Sequence, residues 1–167
     1  SGINIGANTG VSFTCSSGTV GACLEANIAG VPGIAFSQAL DRTVFFDWAD
    51  NRRVPEGTMN VLRDRILPQM DMTWEALSRR EDWLRDPITW NVNMPVLPAE
   101  DCKPVSAFLG HAFYESIFKQ RGEIYVHDVD SPLPDETPAS DTAVVSSGHV
   151  AVTRLDLLTF GQDSDPK

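Results

Sequence analysis

The residues with the clearest chemical meaning lie at the start of the 167-residue chain. Asn4, Gly6, Asn8 and Gly10 alternate, and Ser17-Gly18-Thr19 then opens an apolar helical stretch. A glycine-rich turn that feeds a hydroxyl-capped helix suits an anion, most often a phosphate. Gly6, Gly10 and Gly18 allow close backbone approach. The N–H groups of Gly18 and Thr19 would point at the anion along the positive helix end, and the hydroxyls of Ser17 and Thr19 add donors. The alternative is a strand-to-helix turn whose glycines serve geometry only. No Lys follows the glycines, so this is not a Walker loop, and the spacing is not the G-x-G-x-x-G of a dinucleotide fingerprint.

Asn4 is the second candidate. An Asn at the end of a buried strand can offer its amide oxygen to a hard cation, and magnesium or manganese would also want carboxylates. The first acid in the chain is Glu25, two turns inside the helix, so carboxylates must come from elsewhere; otherwise Asn4 is a turn residue. His111, His127 and His149 have neither helical spacing nor a zinc-like acid beside them and read as structural or surface residues. Asp141 reads as the N-cap of a short helix rather than a catalytic acid. No Gly-x-Ser-x-Gly elbow and no Cys–His arrangement can be placed. Trp48, Trp74, Trp83 and Trp90 read as packing residues.

Composition narrows the field. Hydrophobic residues are 42% and charged residues 22%, the balance of one globular domain with a real core. No stretch approaches the ~20 apolar residues of a membrane span, and no basic n-region with an apolar h-region is visible. The net charge of −10 argues against gripping a nucleic-acid duplex, so a phosphate must be held locally by backbone N–H groups, a helix end or a metal ion. Cys15, Cys23 and Cys102 form no zinc pattern or disulfide framework and read as reduced thiols in a cytoplasm. Residues 1–40 hold one charged side chain, Glu25, whereas residues 41–87 hold ten acids and eight bases. The first block is therefore core-like and the second solvated helix.

These candidates need elements to position them. Ser1-Gly2-Ile3 reads as a strand exit, 4–16 as a loop, and 17–29 as a helix in which Val20, Cys23, Leu24 and Ile28 recur at helical spacing. Gly30 fits the helix stop, and Gly33-Ile34-Ala35-Phe36-Ser37 is a buried strand. Strand, loop, helix and strand make a βαβ unit, hence a parallel sheet. Residues 43–53 read as irregular, 56–67 and 73–85 as two helices broken near Pro68, and 89–94 as a strand. Residues 104–130 read as a protruding hairpin or arm, 131–141 as a surface loop, 142–147 as a short helix, and 149–153 as a strand. The tail 161–167 reads as disordered.

At this point the pattern resembles a known family. Ser1-Gly2-Ile3-Asn4, then Gly6, Asn8 and Gly10, Ser17-Gly18-Thr19-Val20, and Gly30-x-Pro32-x-Ile34-Ala35-x-Ser37 are similar to the SurE family of survival proteins. Asn91-Val92-Asn93-x-Pro95, Arg121-Gly122, Asp141-x-x-Ala-Val and Gly148-x-Val-x-Val-Thr153 fall in the family's order. The resemblance implies a metal-dependent 5′/3′-nucleotidase on a three-layer, Rossmann-like α/β fold with a mostly parallel sheet and a protruding β-hairpin. It implies a divalent ion (Mn or Mg), a small phosphomonoester or nucleotide substrate, and a homo-oligomer, dimer or tetramer.

The family's metal is held by an aspartate pair, a serine and the Asn of Ser-Gly-Ile-Asn, of which only Asn4 carries over. Its phosphate contacts carry over to Ser17, Gly18 and Thr19, with Asn8 on the same loop. The aspartate pair has no counterpart, so no catalytic residue is assigned, and the chain is expected to be the C-terminal two-thirds of such a protein, a single truncated domain over 1–167 lacking its N-terminal strands. Relative to the family, the loop from Gly10 to Ser17 is one residue longer, and Ser16 stands where Tyr is usual. Two alternatives stand beside the hydrolase: a non-catalytic phosphate- or nucleotide-binding fragment, and a Rossmann-type cofactor module, which the glycine spacing disfavours.

Overall fold

A computed structural model describes residues 1–51, 53–111, 118–127 and 135–159. The elements run β1 (Asn4–Ile5), α1 (Gly10–Ser16), α2 (Gly18–Ile28), β2 (Gly33–Gln38), α3 (Arg42–Asn51) and α4 (Glu56–Ser78). They continue with β3 (Thr89–Met94), β4 (Pro104–Ala107), β5 (Phe118–Arg121), β6 (Ile124–His127), α5 (Asp141–Ser146) and β7 (Val150–Leu155). A five-stranded sheet has the order β1-β2-β3-β7-β4. The first three strands are parallel, β7 is antiparallel to β3, and β4 is parallel to β7.

Strand β3 explains how the sheet is built. All six of its residues are buried, so both faces are covered. Strand geometry sends alternate side chains to opposite faces. Trp90, Val92 and Met94 join Phe36, Val152 and Leu77 in the main core, against which Ile66, Met70 and Trp83 pack. Helix α4 covers that face, where each fully buried large side chain contributes about 1.5–3 kcal/mol. Thr89, Asn91 and Asn93 face the other way, toward α1, α2 and the loop after β1. There Val20 and Cys23 of α2 pack on Ala35 and Leu155. A Cβ at Gly33 would fall 2.7 Å from the Cys23 Cβ, so the close fit of α2 on β2 needs glycine.

Several expectations are met as they stand. Helix α2 starts behind Ser17, β2 and β3 fall where the sequence places them, and β1 pairs with β2 in parallel, Asn4 opposite Ser37. Others are corrected. Residues 1–3 are not strand; β1 is Asn4–Ile5, inside the expected loop 4–16, which also contains a helix, α1. Residues 43–53 are largely helical, because the Asp41 carboxylate accepts from the Thr43 N–H at 2.9 Å and also from its hydroxyl, capping α3. The two helices expected around Pro68 are one, and it stops at Ser78. Pro68 and Asp64 are both exposed, so the carbonyl deprived of its partner faces water while the buried side of the helix continues. Residues 104–107 form β4 in the main sheet, and only β5 and β6 form a separate two-stranded hairpin. The short helix is 141–146, and its N-cap is Ser140, not Asp141. Residues 112–117 and 128–130 of the expected arm, 131–134 of the expected surface loop and the tail 161–167 lie outside the described residues.

Candidate functional site

The loop after β1 and the start of α2 meet. Asn4 donates its Nδ2 to the Gly6 carbonyl at 2.8 Å, which turns its Oδ1 outward to accept from the Thr19 hydroxyl at 3.4 Å. The chain reverses at Gly6, whose φ of +99° suits glycine and where a Cβ would stand 3.1 Å from the Phe45 ring. The residue proposed for a cation and one proposed for a phosphate are thus neighbours, although 15 positions separate them.

Ser17 ends α1 and begins α2. As N-cap its Oγ accepts from the Val20 N–H at 3.2 Å, and a hydroxyl that accepts one bond still has its proton to donate. The Gly18 and Thr19 N–H groups lie in the first turn, where a helix supplies no internal acceptor. A Cβ built at Gly18 meets no atom within 4 Å. The space in front of the helix end is therefore open, and nothing in the fold requires glycine there.

Asn8 is placed differently from these three. It is 6% exposed. Its N–H donates to Asn93 Oδ1 at 2.7 Å, and its carbonyl accepts from Asn93 Nδ2 at 3.3 Å, Asn91 Nδ2 at 3.0 Å and the Thr14 hydroxyl at 2.9 Å. Its own Nδ2 donates to Ser37 Oγ at 2.8 Å. In this structure Asn8 is a fixing point of the loop.

Sequence reasoning did not find the residues that hold the loop. Asn91 and Asn93 lie two apart on one face of β3, and the signal was that strand period applied to buried amides. Asp141 is fully buried. Its Oδ2 accepts from the Gly10 N–H at 2.9 Å, and its Oδ1 from Gly110 at 3.0 Å and Thr142 at 2.9 Å. Burial raises its pKa above the ordinary carboxylate value, and the three N–H groups oppose that rise. Asp135 takes the adjoining His111 N–H at 2.7 Å, and its pKa is lowered, chiefly by a hydrogen bond from the Thr137 side chain.

A divalent cation fits these residues poorly. Asn4 Oδ1 is a hard oxygen of the right kind, but one neutral amide does not hold Mn or Mg. Among the described residues no group of three or more His, Cys, Asp and Glu could hold a metal ion. A cavity of about 270 Å³ between the end of β2 and helix α4 is lined by Leu40, Val44, Leu62 and Arg65, among others. Its walls include none of Asn4, Asn8 or Ser17–Thr19. No described helix is long and apolar enough to cross a membrane.

Comparison with known proteins adds an independent line. A family model described as survival protein SurE matches residues 1–115. The 5′-nucleotidase SurE of Thermofilum pendens is 32% identical over 160 residues, covering 94% of this chain and 56% of the relative. That of Hyperthermus butylicus is 41% identical over 164 residues, covering 94% and 53%. The crystal structure of the SurE protein from Aquifex aeolicus overlays with a TM-score of 0.59 at 24% identity, covering 95% of this chain and 59% of that one, which shows a shared fold. The chain thus spans less than two thirds of the length of each of these relatives.

Proposed function

The chain belongs to the SurE family, and from that premise we propose that the protein of which it forms part is a nucleotidase, a hydrolase that releases phosphate from nucleoside monophosphates. The observation that carries this reading is the contact between Thr19 Oγ and Asn4 Oδ1 at the open N-terminal end of α2. It sets a hard oxygen beside a helix end suited to an anion.

In this reading the chain's own residues bind and orient. The Gly18 and Thr19 N–H groups and the Ser17 and Thr19 hydroxyls donate to phosphate oxygens, and the void at Gly18 admits them. The N–H donors are fixed before substrate arrives, so they need no reorganisation as charge develops, whereas the Thr19 hydroxyl must first turn its one proton from Asn4 Oδ1. A bound Mn or Mg ion would supply Lewis-acid charge and an activated water. Asn4 could give it one ligand, and carboxylates from outside the described residues would have to complete its shell. We also assign the protein to the cytoplasm, on its three free cysteines, and to a homo-oligomer, on the family resemblance.

A second reading, a phosphate binder without catalysis, concerns the 167-residue chain alone, in which no group of three or more His, Cys, Asp and Glu among the described residues could hold a metal ion. Two measurements separate the readings. The intact protein is expected to release phosphate from nucleoside 5′-monophosphates when manganese or magnesium is present, and no release with either ion sinks the enzyme. Calorimetric titration of the 167-residue chain with a nucleotide, with and without manganese, tests the binder; binding that manganese strengthens would show a metal site in the chain itself. Gly18→Ala is the local probe. Its methyl group meets nothing in the fold, so stability should hold while phosphate affinity falls about ten-fold or more, the loss of one or two charge-assisted hydrogen bonds.

A further inference from the structure

Asp141 is the one fully buried charged side chain among the described residues. A buried carboxylate needs strong donors around it, and Asp141 finds them in three backbone segments. Gly10 begins α1, Gly110 follows β4, and Thr142 belongs to α5 itself. The Val11 N–H donates to the Gly110 carbonyl at 3.0 Å and closes the junction. Both carboxylate oxygens are occupied inside the protein, so Asp141 is not placed to meet a substrate.

Its reach extends through α1. That helix runs from Gly10 to Ser16, and its C-cap is Ser17. Fixing the Gly10 end therefore fixes the Ser17 end, two helical turns away. Asn93 and Asn91 hold the same loop at Asn8, before α1 begins. The sheet thus fixes the loop at residue 8, and Asp141 fixes the helix that follows it.

We propose that Asp141 is a positioning residue of the phosphate site: by anchoring the start of α1 and the Gly110 turn, its carboxylate sets where Ser17, Gly18 and Thr19 stand relative to Asn4. The proposal rests on the reading of Ser17–Thr19 as a phosphate clamp.

The test uses the intact protein, inorganic phosphate as the titrant in calorimetry, and the amide resonances of Gly18 and Thr19. Asp141→Asn replaces an acceptor oxygen with an N–H group that must face a donor. Gly110→Ala keeps the carboxylate but puts a Cβ 3.0 Å from Asp141 Oδ1 and 3.1 Å from Asp135 Oδ2, displacing it. Each variant is expected to weaken phosphate binding about ten-fold or more and to move both resonances. Val144→Ala, which removes buried methyl groups from the same helix, is expected to lower the melting temperature and leave phosphate affinity within about two-fold.

If Asp141→Asn does not fold, Gly110→Ala carries the test. Unchanged affinity and unmoved resonances in a folded variant overturn the proposal. So does a loss in Val144→Ala as large as in Asp141→Asn, since general loosening would then explain both. If the unmodified protein binds no phosphate at all, the clamp reading falls instead, and the Gly18 and Thr19 resonances alone decide the positioning role.

Discussion

Asn93 clamps a single residue through the two peptide units that flank it, accepting from the Asn8 N–H and donating to the Asn8 carbonyl. Asn93→Ala removes both and leaves the Asn8 N–H buried without a partner. The expected loss is about 1–3 kcal/mol, read as a lower urea midpoint at an unchanged slope. Asp141 makes a different prediction, because it titrates. Its native pKa is raised and its unfolded pKa is about 3.9. Between those values the folded protein holds a proton that the unfolded chain has lost, so the contribution of Asp141 weakens as pH rises through that window and then stays constant. Urea midpoints at several pH values should show the advantage of the unmodified protein over Asp141→Asn shrinking as pH rises from about 3. A widening gap would contradict the burial argument. At this scale the sequence was legible where a motif is local. Ser17, Gly18 and Thr19 are contiguous and their geometry follows from one helix start. Asn93 and Asp141 act on residues 85 and 131 positions away, and no local pattern reports that pairing.

Helix α4 shows why elements were harder to read than motifs. Pro68 breaks the intrahelical ladder, so a break is the natural expectation, yet Gln69, Thr73 and Leu77 are buried in one continuous helix beyond it. Tertiary packing outweighs the lost bond. Pro68→Ala should therefore stabilise the protein, by about 1–3 kcal/mol, through a restored bond to the Asp64 carbonyl; a lower midpoint in denaturant would mean that α4 is built around the proline. Helix α3 carried its signal in Asp41, the cap two residues before Thr43, but a run of mixed aromatic and charged residues hid the period. Strand β4 is only four residues long and half-buried, too short to show alternation. By contrast β2 and β3 are buried over most of their length, and their apolar or alternating runs were readable as they stand.

Across the whole molecule the net charge is −10. A clamp made of backbone N–H groups and hydroxyls must therefore draw an anion against a repelling field. Raising the salt from about 0.01 M to about 0.1 M shortens the screening length from about 30 Å to about 10 Å. Nucleotide binding should hold or strengthen over that range, the reverse of a basic patch. A ten-fold weakening, measured by calorimetry, would point to a cationic site instead. The sheet's central strand carries one more consequence. On the α4 side of β3, the contacts of Val92 and Met94 are apolar and non-directional, so residues of similar volume can replace them at about 1.5 kcal/mol or less, whereas Trp90 also donates its Nε1 to the Trp83 carbonyl at 3.3 Å. On the other side both amide atoms of Asn93 and the Nδ2 of Asn91 have partners at fixed distances on Asn8, and no apolar replacement reproduces them. Over generations one side of the strand is free to wander among hydrocarbon shapes while the other must stand still, with Val92 and Met94 open to drift and Asn93 written once.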